Sequence, residues 1–468
     1  MSRHEEGEPA ELRARSGRSD LLVSLLLPAF VMTLAIWLST GTMAPIAASL
    51  DTPLVMEPCH YLANVDHGHH LATFALLDRH PSAEWRGSVE LRRILYPIVA
   101  YPLMKLIAAT TGDLEAGFLL GGILTTILMH IAALRVFVDF VRRRYGRVSS
   151  IVAAWLLATY PGITYWAGMP YSYAAIVPLS LLAVILLFYI DEDQSLNALI
   201  AHSFLLGLLF TGYDLLPYFG TASILLVLRK RSPLRSVVNA GCLVLPVVVV
   251  GALLRLLPDL PFSNENTEIY KTIVLAYLEL KTKGWGALLL QLPGVALSNF
   301  FFSNFVILPA AWLYSLAIPG QGQRRLERAE TATLIAIAAV FLFNNAAPPY
   351  SGWQLRGVWI ARLYQPVFVV FVLGLARWCT TEGWRRPTIA VIVLLNATTA
   401  FGPMMMSTVA MNLDWRFYRH ATPSAMHRNL LRYGRRPLGV CSEDPGLDVV
   451  VPASAQRPRY MYVPEALP

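Results

Sequence analysis

Apolar stretches of about 20 residues recur along most of this chain, and each is long enough to cross a hydrocarbon core of ~30 Å as a helix. They begin at Leu21 and continue to Ala410. Hydrophobic residues make up 55% of the chain and charged residues 15%, whereas a soluble domain carries about 25% charged residues. The sequence therefore predicts an all-α polytopic membrane protein.

About eleven segments are predicted to span the membrane. A polar segment, residues 1–20, precedes them, and Leu21–Leu38 lacks a small-residue cleavage site. We therefore expect a retained first helix and not a cleaved signal peptide. The membrane domain covers residues 21–411, and a polar tail covers residues 412–468. The predicted spans are 21–40, 115–140, 148–166, 173–190, 196–214, 215–229, 234–257, 286–317, 331–345, 363–378 and 387–411.

Basic clusters between the apolar segments set the orientation. If Ile94–Thr111 spanned the membrane, Arg142–Arg144 and Arg229–Arg231 would face outward, against the positive-inside rule. If it instead lies in the outer interface or re-enters the membrane, every basic cluster faces inward. Pro97 and Pro102 also disfavour a straight spanning helix. This predicts a cytoplasmic amino terminus and an exoplasmic tail.

The region 196–229 decides the orientation of everything after it, because it is either one tilted helix or two short ones. Gly212 and Pro217 near its middle favour two helices that meet at the outer face. The outer side then collects the large loop 41–114, which is expected to contain juxtamembrane helices, together with the turn Tyr160–Tyr173 and loops 258–285 and 344–362. The inner loops are short. We therefore expect activity at the outer face of a bacterial-type inner membrane.

The first outer loop carries the residues best suited to catalysis. Asp66 lies among His67, His69 and His70, and a carboxylate in such a setting suits a general base for a hydroxyl acceptor. The alternative is that Asp66 caps an interfacial helix. The three histidines are a candidate divalent-metal site, and the alternative is that they are plain interfacial polar residues.

Several basic residues are candidates for holding a phosphate group. Arg92 and Arg93 follow the histidine-rich stretch, and arginine matches phosphate oxygens bidentately. Lys105 reaches a phosphate from the interface or extends its amine to water. Arg356 and Arg362 lie in loop 344–362 beside tryptophans, which suit a sugar phosphate but are also ordinary at a membrane interface.

These motifs resemble the glycosyltransferase C superfamily, which includes lipid-linked mannosyl- and aminoarabinosyl-transferases. The matching residues are Asp66, Gly68 and His70, then Arg92-Arg93-Ile94-Leu95-Tyr96-Pro97, and later Arg362-Leu363-Tyr364-Gln365-Pro366. The resemblance implies transfer of a sugar from polyprenyl phosphate to a lipid, glycan or protein of the cell envelope. It implies Asp66 as the catalytic carboxylate, with substrate contacts from Glu57, His69, His70, Arg92, Arg93, Tyr96, Lys105, Arg356, Arg362 and Tyr364.

The match departs from the family pattern at one point. Asp66 is followed by His67, and no second acid lies nearer than Glu57, so either Glu57 or a histidine takes the second role. Two other functions fit the architecture: a polysaccharide polymerase or ligase, and a lipid or polysaccharide transporter without chemistry.

Charge distribution, an acidic run and two cysteines give three further expectations. The net charge of +8 lies in helix-orienting clusters, so we expect no nucleic-acid partner. Asp191-Glu192-Asp193 resembles a nucleotide-sugar motif but is interpreted as a solvated helix terminus. Cys59 and Cys441 both fall on the outer side, where an oxidising compartment permits a disulfide between them.

Overall fold

The structure of this chain is a computed structural model, and its described part consists of helices joined by turns. No strand occurs among the described residues, so the all-α prediction is confirmed for that part of the chain. The described residues are 21–41, 95–111, 114–163, 172–193, 195–213, 215–230, 232–255, 304–318, 326–346, 365–379 and 383–401.

The α-helices are numbered in chain order. Short π- or 3₁₀-helical turns precede α1, α5, α7 and α11 at Leu22–Leu26, Ser172–Ala175, Leu216–Gly220 and Gln365–Val367. The helices are α1 (Leu27–Gly41), α2 (Leu95–Thr111), α3 (Leu114–Tyr145), α4 (Arg147–Ala158), α5 (Ile176–Glu192), α6 (Leu196–Phe210), α7 (Thr221–Arg229), α8 (Pro233–Arg255), α9 (Ile307–Ala317), α10 (Arg328–Ala346), α11 (Phe368–Trp378) and α12 (Arg385–Phe401).

The helix boundaries follow local sequence signals. α6 ends at Phe210, and helical structure resumes at Leu216, so two short helices occupy the region 196–229. α2, in contrast, continues through Pro102 although proline removes a hydrogen bond from a helix interior. Pro97 lies in the first turn of α2, where backbone N–H groups have no acceptor within the helix. A proline there removes no helical hydrogen bond. The prolines therefore do not interrupt this helix.

Charged side chains from several helix termini meet at one end of the helix bundle. We call this the charged end and define it by Arg144, Glu192, Lys230, Glu327 and Arg377. Arg144 pairs with Glu192 at the end of α5 and with Glu327 just before α10. Lys230, after α7, donates to two backbone carbonyls at the end of α5. Cationic groups are favourable there because helix C-termini carry partial negative charge.

The other ends of the same helices meet at what we call the opposite end, defined by Tyr160, Thr211 and Gln365. Tyr160 follows α4, and Gln365 precedes α11. The starting end of α4 lies beside the final turn of α11, because Ser149 Oγ donates to the Ala376 carbonyl at 3.1 Å. The two helices are therefore antiparallel, and Tyr160 and Gln365 lie together away from the charged end.

α2 and the first half of α3 form a helical hairpin that extends beyond the opposite end. The backbone N–H of Leu95 donates to the Thr211 carbonyl at 3.1 Å, where α6 ends. α3 has 32 residues and α5 has 17, lengths of about 48 Å and about 26 Å at 1.5 Å per residue. Both end near the charged end, so the start of α3 and its partner α2 project past the start of α5.

Glycine allows the two helices of this hairpin to approach closely. A side chain at Gly121 would overlap the backbone of Met104, and one at Gly117 would overlap Ala108. The residues of α2 that face α3, such as Ala100 and Met104, are buried. The hairpin is therefore held by backbone-to-backbone packing along one face of α2.

A buried asparagine joins three neighbouring helices. Asn239 of α8 accepts hydrogen bonds from Ser203 of α6 at 2.7 Å and from Ser223 of α7 at 2.9 Å. All three side chains are fully buried. Replacing one partner of a buried hydrogen bond leaves the other unsatisfied, at a cost of about 1–3 kcal/mol.

We expect Asn239→Leu to destabilise the protein by roughly 1–3 kcal/mol, because both serine hydroxyls lose their acceptor. The free energy of unfolding, measured by denaturant titration of the detergent-solubilised protein, checks this. Val237→Leu on the same helix is the control, since Val237 is 71% exposed. Equal stability of the two variants would show that the Asn239 contacts contribute nothing.

Two described stretches are long and apolar enough to cross a membrane, Leu120–Tyr145 and Pro233–Val250. Shorter apolar helices of 10–17 residues accompany them. Large apolar side chains are exposed on the outward faces of several helices, including Phe30 at 63%, Val237 at 71% and Leu394 at 62%.

Candidate functional site

Only two of the predicted site residues, Tyr96 and Lys105, lie among the described residues. The predicted catalytic Asp66 lies outside them. So do the two cysteines of the predicted disulfide, Cys59 and Cys441, and the candidate metal ligands His67, His69 and His70. The predicted substrate contacts that also lie outside the described residues are Glu57, His69, His70, Arg92, Arg93, Arg356, Arg362 and Tyr364.

Tyr96 lies in the first turn of α2 and faces α3. Its ring is 1% exposed, and its hydroxyl lies 3.1 Å from both the Gly122 carbonyl and Thr126 Oγ1. These bonds join the start of α2 to the middle of α3. Tyr96 therefore holds the base of the hairpin, directly after the basic pair at positions 92 and 93.

Lys105 lies on the exposed face of α2. Its amine donates to the Tyr101 hydroxyl at 3.2 Å and lies 5.6 Å from the centre of that ring. Nine residues separate Lys105 from Tyr96, which is about 900° of helix rotation, so the two side chains point to opposite sides. The structure does not bring these two predicted contacts together.

A cluster of amide and aromatic groups lies at the opposite end of the bundle. We call it the amide–aromatic cluster and define it as Tyr160, Asn304, Phe305, Gln365 and Phe368. The Tyr160 hydroxyl lies 2.5 Å from Gln365 Oε1, to which it donates, and 3.3 Å from Asn304 Oδ1. The Tyr160 ring stacks on Phe368 at 4.9 Å and meets Phe305 edge-on at 6.3 Å. The cluster is buried except for Phe305, which is half-buried.

The backbone beside this cluster is strained. Phe305 and Val306 have φ angles of 55° and 58°, in the left-handed region that residues with a Cβ rarely adopt, and least of all a β-branched one. Such strain concentrates at functional sites, where the surrounding structure maintains it. Gln365 directly follows Arg362-Leu363-Tyr364 in sequence, so the cluster fixes the chain immediately after two predicted substrate contacts. Neither Tyr160, which begins a predicted outer turn, nor Asn304 was among the predicted site residues.

The charged end contains the most extensive ion-pair network among the described residues. Glu327 accepts from the Arg144 guanidinium through Nε at 3.2 and 3.1 Å and from the Tyr145 hydroxyl at 2.6 Å. Arg377 lies 2.7 Å from Glu330 and 3.6 Å from Glu327. The network joins α3, α10 and α11, and its acids and bases are paired.

The sequence contains a local signal for part of this network. Glu327-Arg328-Ala329-Glu330 has acids three residues apart at a helix start, and the Glu327 backbone N–H donates to Glu330 Oε2 at 2.7 Å. This is the reciprocal half of a capping box, in which the third helical residue caps the helix N-terminus. The arginines of this end were predicted only as helix-orienting residues, and their acidic partners were not predicted.

The acidic run 191–193 is only partly solvated, so its interpretation as a solvated helix terminus was wrong in part. Glu192 is half exposed, but the Asp193 side chain is 8% exposed and lies 3.0 Å from His202 Nδ1. Asp191 lies 4.0 Å from Arg328. These acids contact bases on neighbouring helices, which an isolated helix terminus would not provide.

The Glu327 carboxyl has a lowered pKa. Burial alone would raise the pKa, but hydrogen bonds from Arg144 and Tyr145 and the charges of Arg144 and Arg377 favour the ionised form more strongly. A carboxyl with a lowered folded-state pKa stabilises the fold above the unfolded pKa of about 4.3. That contribution is lost as the pH falls through the lower, folded-state value.

We expect Glu327→Gln to lower the thermal midpoint at pH 7, because the ionised carboxylate of the wild type is then fully paired. The difference from wild type should begin to shrink as the pH falls below the unfolded pKa of about 4.3, and it should vanish as the pH falls through the lower folded-state pKa. Thermal unfolding between pH 3 and pH 7 checks this. Glu192→Gln is the matched control, since Glu192 contacts the same arginine but is half exposed. A difference from wild type that stays constant with pH would contradict the assignment.

No group of three or more His, Cys, Asp or Glu side chains among the described residues is arranged to hold a metal ion. The His67, His69 and His70 candidate lies outside this part of the chain and stays a prediction.

Comparison with known proteins gives no family assignment. No protein-family pattern matches the chain, and no curated protein matches its sequence.

Proposed function

We propose that this protein is a polytopic glycosyltransferase of the bacterial inner membrane, similar to the glycosyltransferase C superfamily. It moves a sugar from a polyprenyl-phosphate donor to a cell-envelope acceptor at the outer face. The acceptor is a lipid, a glycan or a protein. Asp66 acts as the principal carboxylate, and the basic residues of the two sequence motifs hold the donor phosphate.

The main support for this proposal is that both motifs have described residues at the opposite end of the bundle. Leu95, within the first motif, bonds to Thr211. Gln365, within the second, bonds to Tyr160. Two motifs separated by more than 260 residues in sequence thus have neighbours at one end, as a shared site requires.

The charged end supports the orientation. Basic residues face the cytoplasm in inner-membrane proteins, and Arg144, Lys230 and Arg377 all lie at that end. Carboxylates and backbone carbonyls pair with these basic groups at the charged end. Activity is therefore expected at the other end, towards the exoplasm, and a transport pathway through the bundle receives no support from this arrangement.

The proposed chemistry assigns each group a role. A carboxylate accepts the proton of an acceptor hydroxyl as that oxygen attacks the anomeric carbon. The bond from this carbon to the phosphate oxygen breaks, and polyprenyl phosphate leaves. Arginine stabilises the leaving phosphate, because its planar guanidinium matches phosphate oxygens. Arg93 and Arg362 are the first candidates, with Lys105 as a third.

The test is the lipid-linked glycan profile of a strain that lacks this protein. We expect one polyprenyl-phosphate sugar to accumulate and one envelope glycan to lose the corresponding residue. Wild-type protein supplied in trans should reverse both changes, and an Arg93→Ala, Arg362→Ala double variant should reverse neither. The control is Arg142→Ala, an exposed arginine near the charged end. An unchanged profile in the deletion strain would contradict the proposal.

A further inference from the structure

Each of the two sequence motifs places an arginine three residues before a buried polar side chain. Arg93 precedes Tyr96, and Arg362 precedes Gln365, by the same spacing. Tyr96 and Gln365 are each 1% exposed, and each lies in the first turn of a helical element. Both motifs therefore combine a candidate phosphate ligand with a buried residue at the start of a helix.

A tyrosine hydroxyl fixes each of these buried residues. In the first motif Tyr96 provides the hydroxyl itself, which donates to the Gly122 carbonyl of α3 at 3.1 Å and lies equally close to Thr126 Oγ1. In the second motif Gln365 Oε1 accepts from the Tyr160 hydroxyl at 2.5 Å. Each motif is thereby joined to a different part of the bundle, the first to α3 and the second to the turn that follows α4.

The surroundings of the Tyr160 hydroxyl leave little room for another arrangement. A side chain at Gly162 would overlap both the Tyr160 ring and Gln365 Oε1. The other face of the ring environment is also occupied, because the ring stacks on Phe368 at 4.9 Å. The position of Gln365 is therefore determined by packing together with a single short hydrogen bond.

Both anchored segments lie near the start of α5. A side chain at Gly212 would overlap Leu179, in the first turn of α5, and would lie 3.2 Å from Leu95 of the first motif. Residues 365–367 of the second motif also contact α5. Because α5 begins at the opposite end of the bundle, the two motifs are anchored around one helix start.

We propose that Tyr96 and Tyr160 are positioning residues, which hold Arg93 and Arg362 in place for the donor phosphate. The inference rests on the proposed function, in which these arginines bind that phosphate. Three residues of chain span at most about 11 Å, so each arginine is tethered close to its anchor. A guanidinium matches phosphate oxygens only in the correct orientation, and a misplacement of about 1 Å can reduce a rate by about 10²-fold. Tyr96 then acts through Arg93 and does not itself contact substrate.

Phenylalanine variants test this role, because they remove the hydroxyl and keep the ring. We expect Tyr96→Phe and Tyr160→Phe each to raise the Michaelis constant for the lipid-linked donor by about 10- to 100-fold, with little change in that for the acceptor. A loss of folded protein would instead lower kcat and leave both constants unchanged. Tyr145→Phe is the matched control, since its hydroxyl bonds to Glu327 at the charged end. An unchanged donor constant would overturn the role of the tyrosine concerned.

A crossed comparison identifies the arginine through which each hydroxyl acts. Tyr160→Phe should have no further effect on transfer by Arg362→Ala but should keep its full effect in Arg93→Ala, and Tyr96→Phe should show the reverse. Independent effects multiply in rate, whereas the effects of residues that act through one group do not. Losses that multiply in all four combinations would contradict the proposal.

Spin-label distances test the positioning without any activity. In a variant whose four native cysteines are replaced, Arg386→Cys carries one label on an exposed position of α12, and Arg93→Cys or Arg362→Cys carries the second. Tyr160→Phe should broaden the distance distribution for position 362 only, and Tyr96→Phe that for position 93 only. Equal distributions with and without the hydroxyls would overturn the inference, and so would broadening at both positions by either variant.

The two readouts separate this inference from the proposed function. Crossed broadening in a protein that transfers no sugar would support positioning by the tyrosines and contradict the proposed function. Normal transfer with neither broadening nor a raised donor constant would do the reverse. If Tyr160→Phe does not accumulate in membranes, Gln365→Met removes the acceptor of its hydroxyl and carries the same expectation, as Thr126→Val does for Tyr96.

Discussion

Replacing Asp66 by asparagine is expected to reduce sugar transfer by roughly 10²–10⁴-fold, the usual contribution of a general base. The amide has nearly the shape of the carboxylate but cannot accept the proton of the acceptor hydroxyl. Transfer in proteoliposomes, with the lipid-linked sugar that accumulates in the deletion strain as donor, measures the effect. The Michaelis constant for the donor should change little, because the arginines hold its phosphate.

Two comparisons make this result interpretable. Asp66→Glu restores a carboxylate, so partial recovery of transfer would separate a chemical role from a capping role. Glu57→Gln tests the other acid of the loop, which the sequence leaves open as a second catalytic group. Full activity of Asp66→Asn would remove Asp66 from catalysis.

Replacing Arg377 by methionine is expected to destabilise the protein by about 3–5 kcal/mol, the usual cost of removing one partner of a buried ion pair. The Glu330 side chain is fully buried and the Arg377 side chain is 10% exposed. The variant therefore leaves a carboxylate without its cation in a low-dielectric environment. Unfolding by SDS titration in mixed micelles measures the loss.

A double variant distinguishes the ion pair from general packing. Arg377→Met combined with Glu330→Leu removes both charges, and a buried pair can often be replaced by apolar residues at little cost. We expect it to be clearly more stable than Arg377→Met alone. Arg386→Met is the control, since Arg386 is an exposed arginine at the same end. If Arg386→Met were as damaging as Arg377→Met, burial of the pair would not explain the effect.

Helix positions were predictable where a local signal marks them. The break between α6 and α7 follows from Gly212 and Pro217, because glycine and proline interrupt helices locally. The apolar segments likewise gave the approximate bounds of most described helices. The path of α2 through Pro102 was not predictable, because packing against Gly117 and Gly121 of α3 overrides the local preference of proline.

The polar contacts between helices were not predictable in the same way. Tyr160 and Gln365 are about 200 residues apart, and no local pattern indicates that a tyrosine hydroxyl and an amide will meet. The same is true of Arg144 with Glu327. The pairing depends on how helices pack, which apolar periodicity alone does not determine. For Asp66 and the arginines of the two motifs, the sequence remains the source of the assignment.

Thiol labelling that shows on which side of the membrane position 66 lies is the most direct test of the proposed function. In a cysteine-free variant, Val65→Cys and Arg142→Cys each place a single thiol, beside Asp66 and near the charged end respectively. We predict that a membrane-impermeant maleimide labels intact spheroplasts at position 65, and labels position 142 only after the membrane is permeabilised. Labelling of position 142 alone in intact spheroplasts would place Asp66 in the cytoplasm and contradict transfer at the outer face.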